Sequence, residues 1–362
     1  MDVRYTDPCI TVAQEFEGAR DAATPTDRLR SIRRSAHAFR ERFRGGPKTT
    51  FFASFDVIKA PYPTKYGLRD ACTHPAPFLH ILNRTFIAQF ETDNGLKTLI
   101  AEPLDRLGNA RTPFFADLAA KLGGPRSRIA QTFWPNLADT DSILASVGLQ
   151  PEDIDYVTYD HLHTQNVAAW LGGERPYFPN AKLLVTPQEW ASAKAPLPYD
   201  ARWYCPNGLA GVPESRVQFF EHDIELGGAV AMLRTPGHTE GNHSIAVHTD
   251  EGIFVTSENG VAADAYAPEH SRIPGLRKFA KRTGAEVILN GNTLERTIDQ
   301  YLSMVLEKEV AGPSKRNPDF PNVAPSSEMT SHLFSPGLSP TFHLGAVRFG
   351  TPRRPQARSN AA

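Results

Sequence analysis

Tyr159-Asp160-His161-Leu162-His163-Thr164-Gln165-Asn166 directly follows the β-rich run Ile154-Asp155-Tyr156-Val157-Thr158. The spacing places two histidines where a strand ends and its loop begins. Residues i and i+2 of an extended chain point the same way, so His161 and His163 can present ring nitrogens to one point, as metal ligands do. Asp160 points to the other side and reads as the partner that orients an imidazole.

A second constellation, Thr235-Pro236-Gly237-His238-Thr239-Glu240-Gly241-Asn242-His243-Ser244, also lies at the end of an apolar run, Ala229 to Leu233. Pro-Gly forces a sharp turn there, and His238 is thrown out where the loops of a sheet would gather.

Around these two motifs the chain alternates strand and helix signals. In residues 1–48 the arginine-rich stretch from Asp27 to Phe43 carries Leu29, Ile32, Ala36 and Phe39 at spacings of three and four, which predicts an amphipathic helix packed on the body. Gly45-Gly46-Pro47 closes it. Thr50–Phe55 reads as a strand and Pro61–Pro77 as a long loop. Thr85–Phe90 and Leu96–Ile100 flank Asp93-Asn94-Gly95, a tight-hairpin signal.

A helix is expected from Thr140 or Asp141 to the stop at Gly148, and another over Val167–Leu171. The strand Lys182–Val185 precedes a helix from Gln188 to Ala193. Strands follow at Val217–Phe220 and Ala229–Leu233, with a hairpin of Ile245–Val247 and Ile253–Val255. A helix over Leu276–Arg282 leads to a strand at Glu286–Leu289. Residues 49–311 thus form the main domain. Residues 312–362, rich in Pro and Ser, read as a loosely packed C-terminal extension with a partly disordered tip.

Composition narrows the function. Hydrophobic residues at 40% and charged residues at 22% describe a globular chain able to bury a sizeable core. The 39 basic and 40 acidic side chains leave a net charge of -1, so bulk electrostatics favour neither nucleic acid nor a membrane surface as partner. No apolar run approaches the roughly 20 residues of a membrane span. The start, Met1-Asp2-Val3-Arg4-Tyr5, lacks the apolar core of a signal peptide, so a cytoplasmic location is expected. Cys9, Cys72 and Cys205 are few and far apart, which fits reduced thiols and argues against a cysteine-built zinc site.

The order His-x-His after a strand, then Thr-Pro-Gly-His-Thr, then a hairpin whose second strand ends at a carboxylate, resembles the metallo-β-lactamase superfamily. The resemblance covers about residues 80–295. Gly148-Leu149-Gln150-Pro151-Glu152-Asp153-Ile154-Asp155 and Pro187-Gln188-Glu189-Trp190 are most similar to the lactonase branch, which opens acyl-homoserine lactones. The resemblance implies an α/β (α+β) chain folded as an αββα sandwich, with a metal site along one edge. It places first-site ligands on His161, His163 and His238, and the bridging carboxylate on Glu258, a glutamate where the family has an aspartate. The second-site positions fall on Gln165, Asn166 and Asn292. All three are neutral amides, weak ligands for zinc, so one ion per chain, held by three His and Glu258, is the expectation.

A single zinc can lower the pKa of bound water to about 7 and polarise a carbonyl. The leading reading is therefore a metal-dependent hydrolase of a small ester, lactone or amide. Gln165 stands where the family's proton-accepting aspartate stands and cannot take a proton. Glu258, Glu240 or His243 must serve as base, with Glu258 first, and His243 reads equally as a packing histidine. Two other readings stay open: a mononuclear iron oxygenase of the persulfide dioxygenase type on His161, His238 and Glu258, and a metal-free binding protein. Tyr159, Tyr266 and His74 are candidates for the pocket wall, as are Tyr62, Tyr66, Tyr199, Trp203 and Tyr204. The partner is a small-molecule substrate, and members of this branch often pair, which makes a homodimer an option.

Overall fold

The computed structural model describes residues 5–121, 134–291 and 297–355. After β1 (Ile10–Val12) comes α1 (Pro25–Arg44), started by the Thr24 side chain accepting from the Asp27 amide and by proline in the first turn. β2 (Phe51–Pro63), α2 (Thr64–Gly67), β3 (Phe78–Thr92) and β4 (Gly95–Ala101) follow, then α3 (Arg106–Asn109) and α4 (Pro113–Lys121). The chain continues through α5 (Thr140–Ser146), β5 (Tyr156–Thr158), α6 (Ala168–Leu171), β6 (Lys182–Val185) and α7 (Pro187–Lys194). Next come β7 (Val217–Phe219), β8 (Ile224–Leu226), β9 (Val230–Arg234) and the hairpin of β10 (His243–Thr249) and β11 (Gly252–Thr256). The last elements are α8 (Ala263–Tyr266), α9 (Leu276–Thr283), α10 (Thr297–Ala311), β12 (Ser327–Thr330) and β13 (Arg348–Gly350).

The strands form two sheets. One runs β1-β8-β9-β10-β11; the other runs β13-β2-β3-β4-β5-β6-β7, with β12 paired to β3. Strand alternation assigns their faces. Val230, Met232, Ile245, Val247 and Phe254 of the first sheet meet Phe52, Phe86, Phe90, Leu99 and Leu184 of the second in one buried cluster. The alternate residues point outward under helices. Ala231, Leu233, Ala246 and Val255 pack with Ile32, Phe39 and Phe43 of α1 and with Leu302, Val305 and Leu306 of α10. Ile87, Ile100, Val157 and Leu183 pack with Ile143 and Leu144 of α5, Trp170 of α6 and Trp190 of α7. This layering is the αββα sandwich. Among the described residues no helix is long and apolar enough to cross a membrane.

Three expectations need correction. The stretch expected as a loop from Pro61 begins as the end of β2, which pairs with β3 as far as Pro63↔Phe78 across an irregularity between Asp56 and Ile58. Glu286–Leu289 is no strand. Val287, Ile288 and Leu289 are buried in irregular chain, where Ile288 N donates to Ala265 O at 2.7 Å, and a short apolar run reads alike in either state. Residues 313–355 are not a loose wrap, since they add β12 and β13 to the larger sheet and bury Phe320, Val323, Ala324 and Met329. The helix α10 escaped the sequence reading because polar Gln300, Ser303 and Glu307 lie buried alongside its apolar residues, which blurs the two-faced pattern.

Candidate metal centre

β5 is only three residues long, held in parallel between β4 and β6. It ends at Thr158, so Asp160, His161 and His163 leave the sheet at its rim. β9 ends at Arg234 and β10 begins at His243, which brings the loop carrying His238 to the same rim. His161, His163 and His238 each offer one ring nitrogen, and these atoms all lie within 4.8 Å of one another. All three side chains are buried, and their rings meet edge to face at 4.5 to 5.5 Å between centroids.

The groups around the triad fix it. Asp160 Oδ1 lies 2.6 Å from His161 Nδ1, which turns the other ring nitrogen inward. Glu189, fully buried on α7, accepts from Leu162 N at 2.7 Å and from Thr239 Oγ1 at 2.5 Å, tying the two histidine loops together. Gly241 sits against the start of α7, and its carbonyl accepts from Thr186 Oγ1 at 2.7 Å. His238 N donates to Asn259 Oδ1, whose amide donates to Glu307 of α10. From the C-terminal segment, Ser326 Oγ reaches Asp160 Oδ2 at 2.6 Å and Glu258 Oε2 at 3.1 Å.

The electrostatics suit a cation. Burial, reinforced by the neighbouring histidines, holds His163 and His238 well below the ordinary histidine pKa, so both are neutral, the form in which imidazole binds a metal. For His161 burial opposes charge, but the Asp160 carboxylate outweighs it and raises the pKa. Burial and the Asp160 charge push Glu258 up to about 8. The Nδ1 atom of His163 is buried without a hydrogen-bond partner. An unsatisfied imidazole nitrogen beside two other histidines is the donor set that zinc or a similar divalent ion takes.

A cavity of about 450 Å³ opens on the triad. Glu258 and Gln165 line it, as do Tyr62 and Trp203. Glu258 lies outside the tight group of three imidazoles. Gln165 Nε2 points to Glu102 Oε2 at 3.5 Å, and Asn166 Nδ2 donates to Asp105 Oδ2 at 2.6 Å. Asn292 lies outside the described residues.

Other candidates go elsewhere. His243 is buried between the sheets, with Nε2 at 3.0 Å from Thr158 Oγ1 and its ring edge-on to Phe220, and it takes the packing role. Glu240 is exposed. Tyr159 donates to Pro103 O, Tyr266 to Glu307, and His74 Nε2 lies against Pro336 O, all away from the cavity wall. Tyr66 backs Tyr62 and Trp203 edge-on, Tyr204 backs His163, and Tyr199 is exposed. The wall contains residues the sequence reading passed over: Glu102, Phe114, Phe115 and Trp134 beside Arg84 and Ser326. The pair Phe114-Phe115 behind Pro113 was the available signal, two adjacent aromatics opening a short helix.

No protein-family model matches the chain. It is 26% identical over 189 residues to the N-acyl homoserine lactonase AttM of Azorhizobium caulinodans, over 44% of this chain and 67% of that protein. It is 29% identical over 120 residues to an N-acyl homoserine lactonase of Bacillus sp, over 32% of this chain and 43% of that protein. By sequence the chain is similar to N-acyl homoserine lactonases. Its match spans two thirds of the first relative's length and less than half of the second's. Among solved structures, a quorum-quenching N-acyl homoserine lactone lactonase aligns with a TM-score of 0.43 at 14% identity, covering 67% of this chain and 90% of that one. The hydrolase AbOPH of the beta lactamase superfamily aligns at 0.41 and 14%, covering 84% and 97%. At these values the fold assignment stands on the layering of sheets and helices in the chain itself.

Proposed function

We propose that this lactonase-like chain hydrolyses a small ester or lactone with one divalent ion, zinc in the first place, held by His161, His163 and His238 with Glu258. The observation that carries the reading is the convergence of three buried imidazoles, one with an unsatisfied nitrogen, at the end of an apolar cavity. A single ion is favoured by the amides at the second-site positions. Asn166 and Gln165 already turn their amide groups to Asp105 and Glu102, and amide oxygens are poor zinc ligands.

The bound ion would supply Lewis acidity toward a carbonyl oxygen and a lowered pKa for water. The protein's own residues do the rest. Asp160 keeps His161 in one tautomer and orientation. Glu258, on the cavity wall, accepts the proton of the attacking water and returns it to the leaving oxygen. Gln165 orients the substrate by hydrogen bonding, since its amide takes up no proton. The apolar wall excludes water and holds the organic part of the substrate.

Elemental analysis of protein purified without added metal tests this reading, together with hydrolysis of a panel of lactones and esters. About one zinc per chain, lost in His161→Ala with His238→Ala, is the expected result. Iron in that position would move the reading to oxygen chemistry, two ions would refute the single-ion site, and failure to load any metal would refute the metalloenzyme.

A further inference from the structure

The cavity changes character from floor to mouth. Its floor carries the histidine triad and Glu258, its middle is aliphatic and aromatic, and its mouth carries two arginines, Arg106 on α3 and Arg111 just beyond it. Both are exposed, and among the described residues neither is ion-paired. Arg84, which also lines the cavity, differs from them in being buried and held by Asp56 and Glu328. The acid next to Arg106 is already engaged, since Asp105 Oδ1 accepts from Leu107 N at 3.1 Å and Oδ2 from Asn166 at 2.6 Å. A third cation, Arg202, lies over the Phe114 and Trp203 rings, 5.5 Å from each centroid, which adds positive charge behind the apolar wall.

A neutral ligand filling the middle of this cavity would leave the two exposed guanidinium groups to water and gain nothing from their charge. An anionic group at the outer end would accept their hydrogen bonds, with the geometry a carboxylate matches best. We propose that Arg106 and Arg111 form a subsite for a carboxylate at the far end of the substrate, so that the substrate class is an apolar ester or lactone with a distal acid. This inference rests on the hydrolase reading for the reacting end, while the arginine subsite itself is a matter of binding.

The test uses the metal-loaded protein and two non-hydrolysable ligands, the methyl ketone 9-oxodecanoate and its neutral amide, titrated by tryptophan fluorescence against wild type and an Arg106→Gln, Arg111→Gln variant. Wild type should bind the acid about fivefold to tenfold more tightly than the amide, a preference that weakens with salt and disappears in the variant, with affinity for the amide unchanged. Equal binding of acid and amide by wild type overturns the proposal. A preference that survives in the variant also overturns it, because the carboxylate is then held elsewhere, at the metal or at Arg84. Hydrolysis of the matching methyl esters is followed in parallel. No hydrolysis would refute the hydrolase reading alone, since the affinity ratio still judges the arginines.

Discussion

Gly241→Ala probes how the two histidine loops are held together. A Cβ on residue 241 would stand 2.5 Å from both Glu189 Cβ and Thr186 Oγ1, and nearer still to the Glu189 backbone nitrogen. The obstacle is the first turn of α7, which no rotamer change can clear, so the loop or the helix must move. Overpacking of this kind costs about 1–3 kcal/mol. Displacing the loop also breaks the hydrogen bond from Thr186 Oγ1 to Gly241 O, worth about 1 kcal/mol. The expected loss is about 2–4 kcal/mol, a large part of the roughly 5–15 kcal/mol that holds a typical domain together. Because Glu189 bridges Leu162 and Thr239, the same shift should separate His238 from His161 and His163 and weaken metal binding. Urea unfolding gives the first quantity and chelator competition the second. A variant within about 0.5 kcal/mol of wild type and with unchanged metal affinity would refute the clamp.

Removing the partner of a ligand should be milder than removing a ligand: Asp160→Asn is expected to lower metal affinity about 10–100-fold, and an unchanged chelator titration would show that His161 is oriented by something else. Glu328→Ala leaves Arg84, buried in the larger sheet, with only the Asp56 carboxylate, so a loss of about 3–5 kcal/mol is expected in urea melts. For pH, burial depresses His243 to about 4, so the folded chain keeps it neutral while the unfolded chain protonates it near pH 6.5. Stability from this group is complete above that value and is lost as pH falls toward 4. The loss should be about 2 kcal/mol between pH 7 and pH 5, and it should be smaller in His243→Gln. Identical pH slopes for the two proteins would contradict the assignment.

Much of the site was legible because its chemistry is compressed into two short motifs. His161 and His163 owe their common direction to strand spacing, and His238 to a Pro-Gly turn, both local properties. The role of Asp160 followed from the same alternation. What escaped notice is non-local. Nothing in the spacing around Glu189 or Glu307 reveals that their carboxylates collect donors from loops far away in the chain. His243 looked catalytic by residue type, yet the first pleat of β10 turns it into the layer between the sheets. The Pro- and Ser-rich composition after residue 312 suggested weak order, but composition does not record backbone pairing, and β12 gains its partners from β3.

That C-terminal segment bears on the charge of the site. Ser326 Oγ lies within hydrogen-bond distance of both Asp160 and Glu258, yet a hydroxyl has one proton to give. Without a metal, Glu258, pushed up to about 8, carries a proton near neutral pH and can donate it to the serine oxygen while the serine donates to Asp160, so both contacts are hydrogen bonds. A cation beside Glu258 would favour its charged form and leave the serine bonded to Asp160 alone, and Glu258 is the carboxylate that lines the cavity with the triad. Asp160 can then keep the serine proton and the His161 ring at once. The single hydroxyl thereby links the order of the C-terminal segment to the loading of the metal. Ser326→Ala should loosen residues 313–330 more in the metal-free protein than in the loaded one, measured by hydrogen exchange of the β12 amides. Equal exchange in the two states would show that the segment is anchored by its strand pairing alone.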